Sequence, residues 1–411
     1  MPPGNPGRLV RSLAAFVLLS AAILPAALEV AAPAPSAVIG PPAGPITADR
    51  SAAPAPDRVD LRAPGAAPSV EIRRTGDPAN RITLVLLGDG YTAGQQGLFR
   101  EEADRAWRAL MDIEPFRTYQ NFFNIRRVEV VSPVSGIVEG DGGRPTDTPL
   151  GMHFWCEGTA RLLCADEDAT ARYAGEDAGP QYLIALANST EYGGAGGTGV
   201  TTLSGGSPDA GRIIQHEIGH TVGDLGDEYD SAPTDAGYPN LATVDADEML
   251  RSKTKWWRWL GATSPDGGGT IGAYRSANGL YRPTADSVMR TLGGSYNLPS
   301  REAIIEQIYR RVHPLDGAVP APGPVAGHPR LQVSPVPLSG PRQLRVDWAV
   351  DGRPVASPAP DGTWLDTAAL APAPGKKITV TATVTDTTDW VRDEAFRSRY
   401  MTREVTWTLI G

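Results

Sequence analysis

The stretch Gln215–Asp230, QHEIGHTVGDLGDEYD, constrains this chain more than any other. His216 and His220 stand four residues apart. On a helix that spacing stacks both rings on one face, within reach of a single ion. Glu217, between them, is placed to act on a metal-bound water, so the pattern HExxH outlines zinc-hydrolase chemistry.

The flanking sequence predicts the helix itself. Ser207, Pro208 and Asp209 supply an N-cap, a favoured first-turn proline and a first-turn acid, so a helix is expected to start near Pro208. Ile214, Ile218, Val222 and Leu225 form an apolar stripe roughly opposite the histidines. One face then packs into a core while the other looks into a cleft. The competing reading is a structural helix with buried, hydrogen-bonded histidines.

A catalytic zinc needs three protein ligands and an open position. His216 and His220 give two, and the acids that follow are Asp224, Asp227, Glu228 and Asp230. The commonest related arrangement has a histidine where this chain has Gly226. Gly223 and Gly226 permit a sharp reversal that brings Asp227 back to the ion, with Glu228 as the alternative. These acids can also be solvated, or hold Ca2+ through oxygen-rich coordination. Glu217 is left as the general base that takes a proton from a metal-activated water and passes it to the leaving amine.

The chain ends and the cysteines bear on location. Arg8 and Arg11 precede the hydrophobic run Leu13–Leu28, with small residues after it, the layout of a secretory signal peptide over residues 1–32. The run is too short and proline-interrupted for a comfortable membrane span, so no integral span is expected in the mature form. Residues 33–68 alternate Ala, Pro, Gly and Val and read as a spacer. Cys156 and Cys164 are the only cysteines, and in an exported protein they imply one local disulfide. A zinc site on that pair is the weaker reading, since no histidine pair adjoins it. The net charge of −9, with no run of Lys or Arg, excludes a nucleic-acid surface.

Between residues 69 and 314 strands alternate with helices. ITLVLLGDGY reads as a buried strand from Ile82, Ala93–Met111 as a helix, Asn124–Val131 and Gln181–Ala187 as further strands, and Arg301–Val312 as a helix. Alternation of this kind predicts a twisted mixed sheet. In the glycine-rich segment Gly193–Gly206, Val200–Leu203 is either an edge strand for an extended substrate or part of a loop without a role. The tryptophans of KTKWWRWL (Lys253–Leu260) read as packing rather than a groove. Residues 315–330 are rich in proline and glycine and mark a second linker. Residues 331–411 (QLRVDWAV, ITVTATVTDT, REVTWTLI) are short alternating segments, the pattern of an Ig-like β-sandwich.

Four blocks in order carry a resemblance: VLLGDGYTAGQQGLFREEADRAWRAL, EPFRTYQNFFNIRRVEVVSPVSG, HEIGHTVGDLGDEY and DSVMRTLGGSYNLPSREAI. Over roughly Val70–Pro314 the chain resembles the zinc metallopeptidases named after an immunoglobulin A-cleaving member. The resemblance implies an α/β (α+β) metzincin-like catalytic domain with a methionine turn beneath the metal. It carries over His216 and His220 as ligands, Glu217 as base, and Asp227, in the DEY triplet, as third ligand. Met289 in DSVMR matches the methionine turn, although from the residue alone it would read as a core methionine. Asp224 departs from the family, which usually has glycine there. Tyr296 is a candidate for oxyanion stabilisation from across the cleft, by analogy with related enzymes. The expectation is a secreted zinc endopeptidase acting on extracellular protein or peptide substrates. The alternative from another class is a noncatalytic secreted adhesion or binding protein with a structural metal.

Overall fold

The apolar run ITLVLLGD is the spine of the fold in the computed structural model, which describes residues 67–141, 147–197, 199–232, 235–266, 268–327, 329–370 and 372–411. The signal-peptide reading and nearly all of the spacer reading lie outside the described residues.

The chain opens with β1 (Ser69–Arg73), β2 (Ile82–Asp89), α1 (Gln96–Leu110), α2 (Phe116–Tyr119) and β3 (Phe123–Val128). It continues through α3 (Glu167–Ala174), β4 (Gln181–Ala187), β5 (Gly194–Ala195), β6 (Thr201–Ser204) and α4 (Ala210–Gly223). These strands build one sheet in the order β1-β3-β2-β4-β6-β5. Strands β3, β2, β4 and β6 run parallel, and β1 and β5 close the two edges antiparallel. β2 is buried at every position because both faces of the sheet are covered, which is why it reads as a continuous hydrophobic run rather than an alternating one. Leu84 and Leu86 face the helix layer with Phe99, Ile214 and Ile218. Val85 and Leu87 face a smaller second core with Met152, Phe154 and Leu163.

The segment Val200–Leu203 does not form an edge. β6 lies between β4 and β5, and all four of its residues are buried. The edge position belongs to Gly194–Ala195, a two-residue strand that folds back on β6. A strand of two residues is too short to leave a periodic pattern in sequence.

After α4 come α5 (Ala246–Ser252), the pair β7 (Tyr274–Arg275) and β8 (Tyr281–Arg282), and α6 (Leu298–Tyr309). Trp256 and Trp259 are buried, their ring N–H groups donating to the Gly272 carbonyl and the Glu302 carboxylate.

The second half comprises β9 (Leu315–Val319), β10 (Gly323–Ala326), β11 (Arg330–Pro335), β12 (Arg345–Val350), β13 (Arg353–Val355), β14 (Trp364–Asp366), β15 (Lys377–Thr385), α7 (Glu394–Tyr400) and β16 (Thr402–Ile410). They form a five-stranded sheet, β10-β16-β15-β12-β13, and a three-stranded sheet, β14-β11-β9. Apolar residues of both sheets, among them Leu331, Val333, Val384 and Trp407, share one core.

This corrects the linker reading of residues 315–330. They carry β9 and β10, each the edge strand of its sheet. Pro324 is tolerated in β10 because an edge strand has one side free of ladder partners, so a missing N–H costs little there. The half that follows is also not tethered loosely: the same core contains Ile304, Ile308 and Tyr309 of α6. Arg81, fully buried, makes two bonds to Asp316 (2.6 and 2.7 Å). Asp386, also fully buried, accepts from Tyr119 and Tyr309, both at 2.7 Å.

The same seam holds an acid out of its ordinary range. Glu306 on α6 is pushed up to about 7, first by burial and then by neighbouring Glu302 and Asp393, against Arg310 and Arg258. Its folded pKa lies above the unfolded value, so the native state holds the proton more tightly. The stability this contributes is complete below about pH 4.5 and is lost as pH rises toward 7. Glu306→Gln is therefore expected to raise the melting temperature at pH 8 but not at pH 4.5. The effect at pH 8 should be about 1 kcal/mol, reduced for the residue's partial exposure. Thermal melts of both proteins across pH 4–8 check it, and parallel pH profiles would contradict it.

Candidate metal centre

Helix α4 begins two residues later than the sequence predicts. The Ser207 hydroxyl accepts from the Asp209 N–H (3.3 Å) in a turn that precedes the first helical residue, Ala210. Ile214, Ile218, Val222 and Leu225 are all buried, and they anchor the helix against α1 and α6. The opposite face carries His216 and His220.

At its C-terminus the helix ends on Asp224, whose backbone is left-handed (φ 52°) and whose N–H closes on the His220 carbonyl (3.1 Å). This is the position where glycine is usual in the resembling family. Aspartate is among the few residues with a side chain that enter this region readily, so the turn geometry is retained. Gly226 is fixed by space instead. A Cβ there would sit 2.6 Å from both Leu241 and Tyr238. The chain therefore passes tightly beneath those side chains and returns toward α4.

That return brings Asp227 Oδ1 to 3.1 Å from His216 Nε2 and 3.3 Å from His220 Nε2, with the two Nε2 atoms 3.3 Å apart. Three donor atoms thus form a nearly equilateral triangle. An ion with four tetrahedral ligands at about 2.0–2.1 Å spaces them roughly 3.3 Å apart, so the triangle has the dimensions of one face of such a site. The outer bonds orient the donors. His216 Nδ1 lies 2.8 Å from the Val288 carbonyl and His220 Nδ1 2.6 Å from the Leu225 carbonyl. A carbonyl only accepts, so each Nδ1 carries a proton, and each ring, when neutral, presents an unprotonated Nε2 to the centre of the triangle. Asp227 Oδ2 accepts from Tyr229 (2.9 Å), leaving Oδ1, buried and without a hydrogen-bond donor, as the third corner. An orphaned buried carboxylate oxygen against two ring lone pairs calls for a cation.

The charges agree. Burial opposes a charge on His220, but Asp227 outweighs it and lifts the ring to about 9, and His216 shifts the same way for the same reasons. Asp227 is held well below the ordinary carboxylate range, the two rings overcoming its burial. Protons and a metal compete for one pocket of negative potential.

Glu217 lies on α4 beside this triangle, buried, with Oε2 unpartnered. One of its oxygens approaches the donor atoms of both histidines to within 4.8 Å. Burial, first, lifts it above the usual carboxylate range, with Asp227 adding to the lift and the histidines and Arg161 opposing it.

Glu228 points elsewhere. Its oxygens accept from Asn240 (2.9 Å), Ser287 (2.7 Å) and Asn297 (3.3 Å), so it ties the returning chain to the segment before α6. Asp230 pairs with Arg290 (3.1 Å). The four acids after the helix diverge and offer no shared oxygen cage of the calcium type.

Met289 is fully buried beneath α4. A Cβ on Gly219 would come within 2.7 Å of its sulfur and 2.8 Å of the Tyr296 hydroxyl, so the helix can sit this low only because residue 219 is glycine. The Met289 carbonyl accepts from the Glu228 N–H (2.9 Å), and the residue before it supplies the carbonyl that orients His216. Tyr296 packs beneath Gly219 of α4. It is fully buried under the helix with its hydroxyl donating to the Gln215 carbonyl, which corrects the oxyanion reading. The supporting roles of Tyr229, Asn240, Ser287 and Asn297 escaped the sequence reading. Only Tyr229 left a signal, through its place in the DEY triplet.

Cys156 and Cys164 form a disulfide, with Cα atoms 5.6 Å apart. No helix among the described residues is long and apolar enough to cross a membrane.

A family model described as IgA Peptidase M64 matches residues 70–267, a span that contains His216, Glu217, His220 and Asp227 and ends before Met289. No curated protein matches the chain.

Proposed function

We propose that the chain, a member of the IgA Peptidase M64 family through residues 70–267, is a secreted zinc-dependent endopeptidase acting on extracellular proteins or peptides. The observation that carries this reading is the triangle of His216 Nε2, His220 Nε2 and Asp227 Oδ1, with the free carboxylate oxygen of Glu217 beside it. Two imidazoles and one carboxylate are a donor set for catalytic zinc, and they leave one position open. When bound, zinc would polarise the scissile carbonyl and lower the pKa of the attacking water.

The protein's own groups do the rest. Val288 and Leu225 hold the two rings in the tautomer that presents Nε2. Tyr229 fixes the Asp227 carboxylate. Glu217, as general base, takes a proton from the attacking water at Oε2 and delivers it to the leaving nitrogen. A carboxylate raised by burial exchanges that proton nearer neutrality than an exposed one. An intact Glu217 counts against a noncatalytic binding protein, which has no use for a buried, unpartnered carboxylate oxygen at this point.

Secretion is supported by the basic start and apolar run of residues 1–32 and fits the Cys156–Cys164 disulfide. The alternating strands after residue 330 and their shared core support an Ig-like reading of the second half. Cleavage of casein or a proteome-derived peptide library is expected to disappear on treatment with a zinc chelator and return with stoichiometric zinc. Cleavage indifferent to chelation, or absent from the metal-loaded protein, would overturn the reading.

A further inference from the structure

The disulfide closes a short loop, Cys156–Cys164, and that loop is built against strands β5 and β6. The backbone is left-handed at Trp155 (φ 61°), just before the loop, and at Glu157 (φ 51°) within it, conformations a bulky aromatic adopts only when its surroundings impose it. The Arg161 carbonyl accepts from the N–H of Gly194 (3.4 Å), on the edge strand β5, and the Leu163 carbonyl accepts from the Thr202 hydroxyl on β6 (2.6 Å). Gly194 in turn abuts the Glu217 side chain: a Cβ there would stand 3.5 Å from Glu217 Cγ. Arg161 is therefore fixed one backbone contact away from the strand that touches Glu217.

Among the described residues Arg161 makes no ion pair and no side-chain hydrogen bond, and its Nη2 is buried without a partner. The guanidinium is within electrostatic reach of Glu217 and Tyr192, where it opposes the upward shift that burial gives each. Tyr192, two residues before Gly194, and Trp155, next to Cys156, are exposed aromatics. A planar fork of donors, pinned by a disulfide and unsatisfied, matches a carboxylate in two parallel bonds.

We propose that Arg161 is a specificity-determining residue of the cleft and recognises an Asp or Glu side chain of the substrate within a residue or two of the scissile bond. The inference rests on the peptidase reading above and goes beyond it to the substrate's chemistry.

Matched peptides carrying Glu, Gln or Lys at each position flanking a cleaved bond test it, with wild type, Arg161→Ala and Arg161→Glu assayed for kcat/KM and Glu217→Gln as the inactive control. At one position wild type is expected to favour Glu over Gln by at least ~10-fold. Arg161→Ala should bring the Glu peptide down to its Gln partner, and Arg161→Glu should shift the preference to Lys. Wild type indifferent to the acid at every position, or an Arg161→Ala loss by one common factor on all peptides, overturns the inference while leaving the peptidase reading standing. No cleavage by wild type beyond the Glu217→Gln control removes the peptidase reading and this inference with it.

Discussion

Glu217→Gln is expected to lower kcat/KM for peptide cleavage by ~10²–10⁴-fold while leaving the metal centre filled. The substitution keeps the length and shape of the side chain, and it touches none of the bonds that orient the ligands. His216 still donates to Val288, His220 to Leu225, and Asp227 still accepts from Tyr229. What is lost is the ability to accept a proton at the one carboxylate oxygen beside the triangle that no donor occupies. Steady-state kinetics together with metal analysis separate the two contributions. A variant that loses metal in step with activity would mean that Glu217 serves as a ligand or a support, and one that keeps full activity would remove it from the reaction.

The second large effect lies at the seam between the two halves. Asp386→Ala is expected to destabilise the protein by about 3–5 kcal/mol, on the order of 10 °C in melting temperature. Asp386 Oδ2 accepts from Tyr119 on α2 and Tyr309 on α6, and Oδ1 from the Thr388 N–H (2.7 Å). Both phenols are buried and held far above their ordinary range, first by burial and then by Asp386, so they remain donors. Removing the carboxylate strands the buried Tyr309 hydroxyl, leaves Tyr119 with only Thr388 Oγ1 (3.0 Å) and opens a void between the halves. Asp386→Asn, which retains one acceptor oxygen, should fall between the two. Thermal melts followed by circular dichroism check this. A shift of less than about 3 °C would mean that the halves on either side of residue 314 fold independently.

The parts of this molecule that were legible in sequence are those that depend on local period. The strands Ile82–Asp89 and Gln181–Ala187 and the two histidines of α4 announce themselves because helix and strand each impose a fixed spacing. Asp227 was legible up to a choice. The glycines after the helix permit a reversal, but which of two consecutive acids faces inward depends on partners 12 to 69 residues away in sequence, Asn240, Ser287 and Asn297, which engage Glu228. Residues 315–330 were misread because proline signals a linker in isolation and an edge strand in a sheet, and sequence alone does not say where the edge falls. The sequence leaves Val200–Leu203 open between an edge strand and a loop, and the strand that forms there lies inside the sheet. The true edge is two small residues, Gly194 and Ala195, with no pattern to read. Tyr296 illustrates the converse: a tyrosine near the motif invites a catalytic role, and only its position beneath Gly219 shows that it supports the helix.

His216, His220 and Asp227 are expected to hold the metal, and Glu228 to take no part in it. Zinc titration against a chromophoric competitor tests it most directly, using purified wild type, Asp227→Ala and Glu228→Gln whose folding has been verified by circular dichroism. One tightly bound equivalent is expected in wild type and in Glu228→Gln, with affinity reduced at least ~100-fold in Asp227→Ala. Wild-type affinity in Asp227→Ala, or no zinc bound by the wild-type protein, would contradict it.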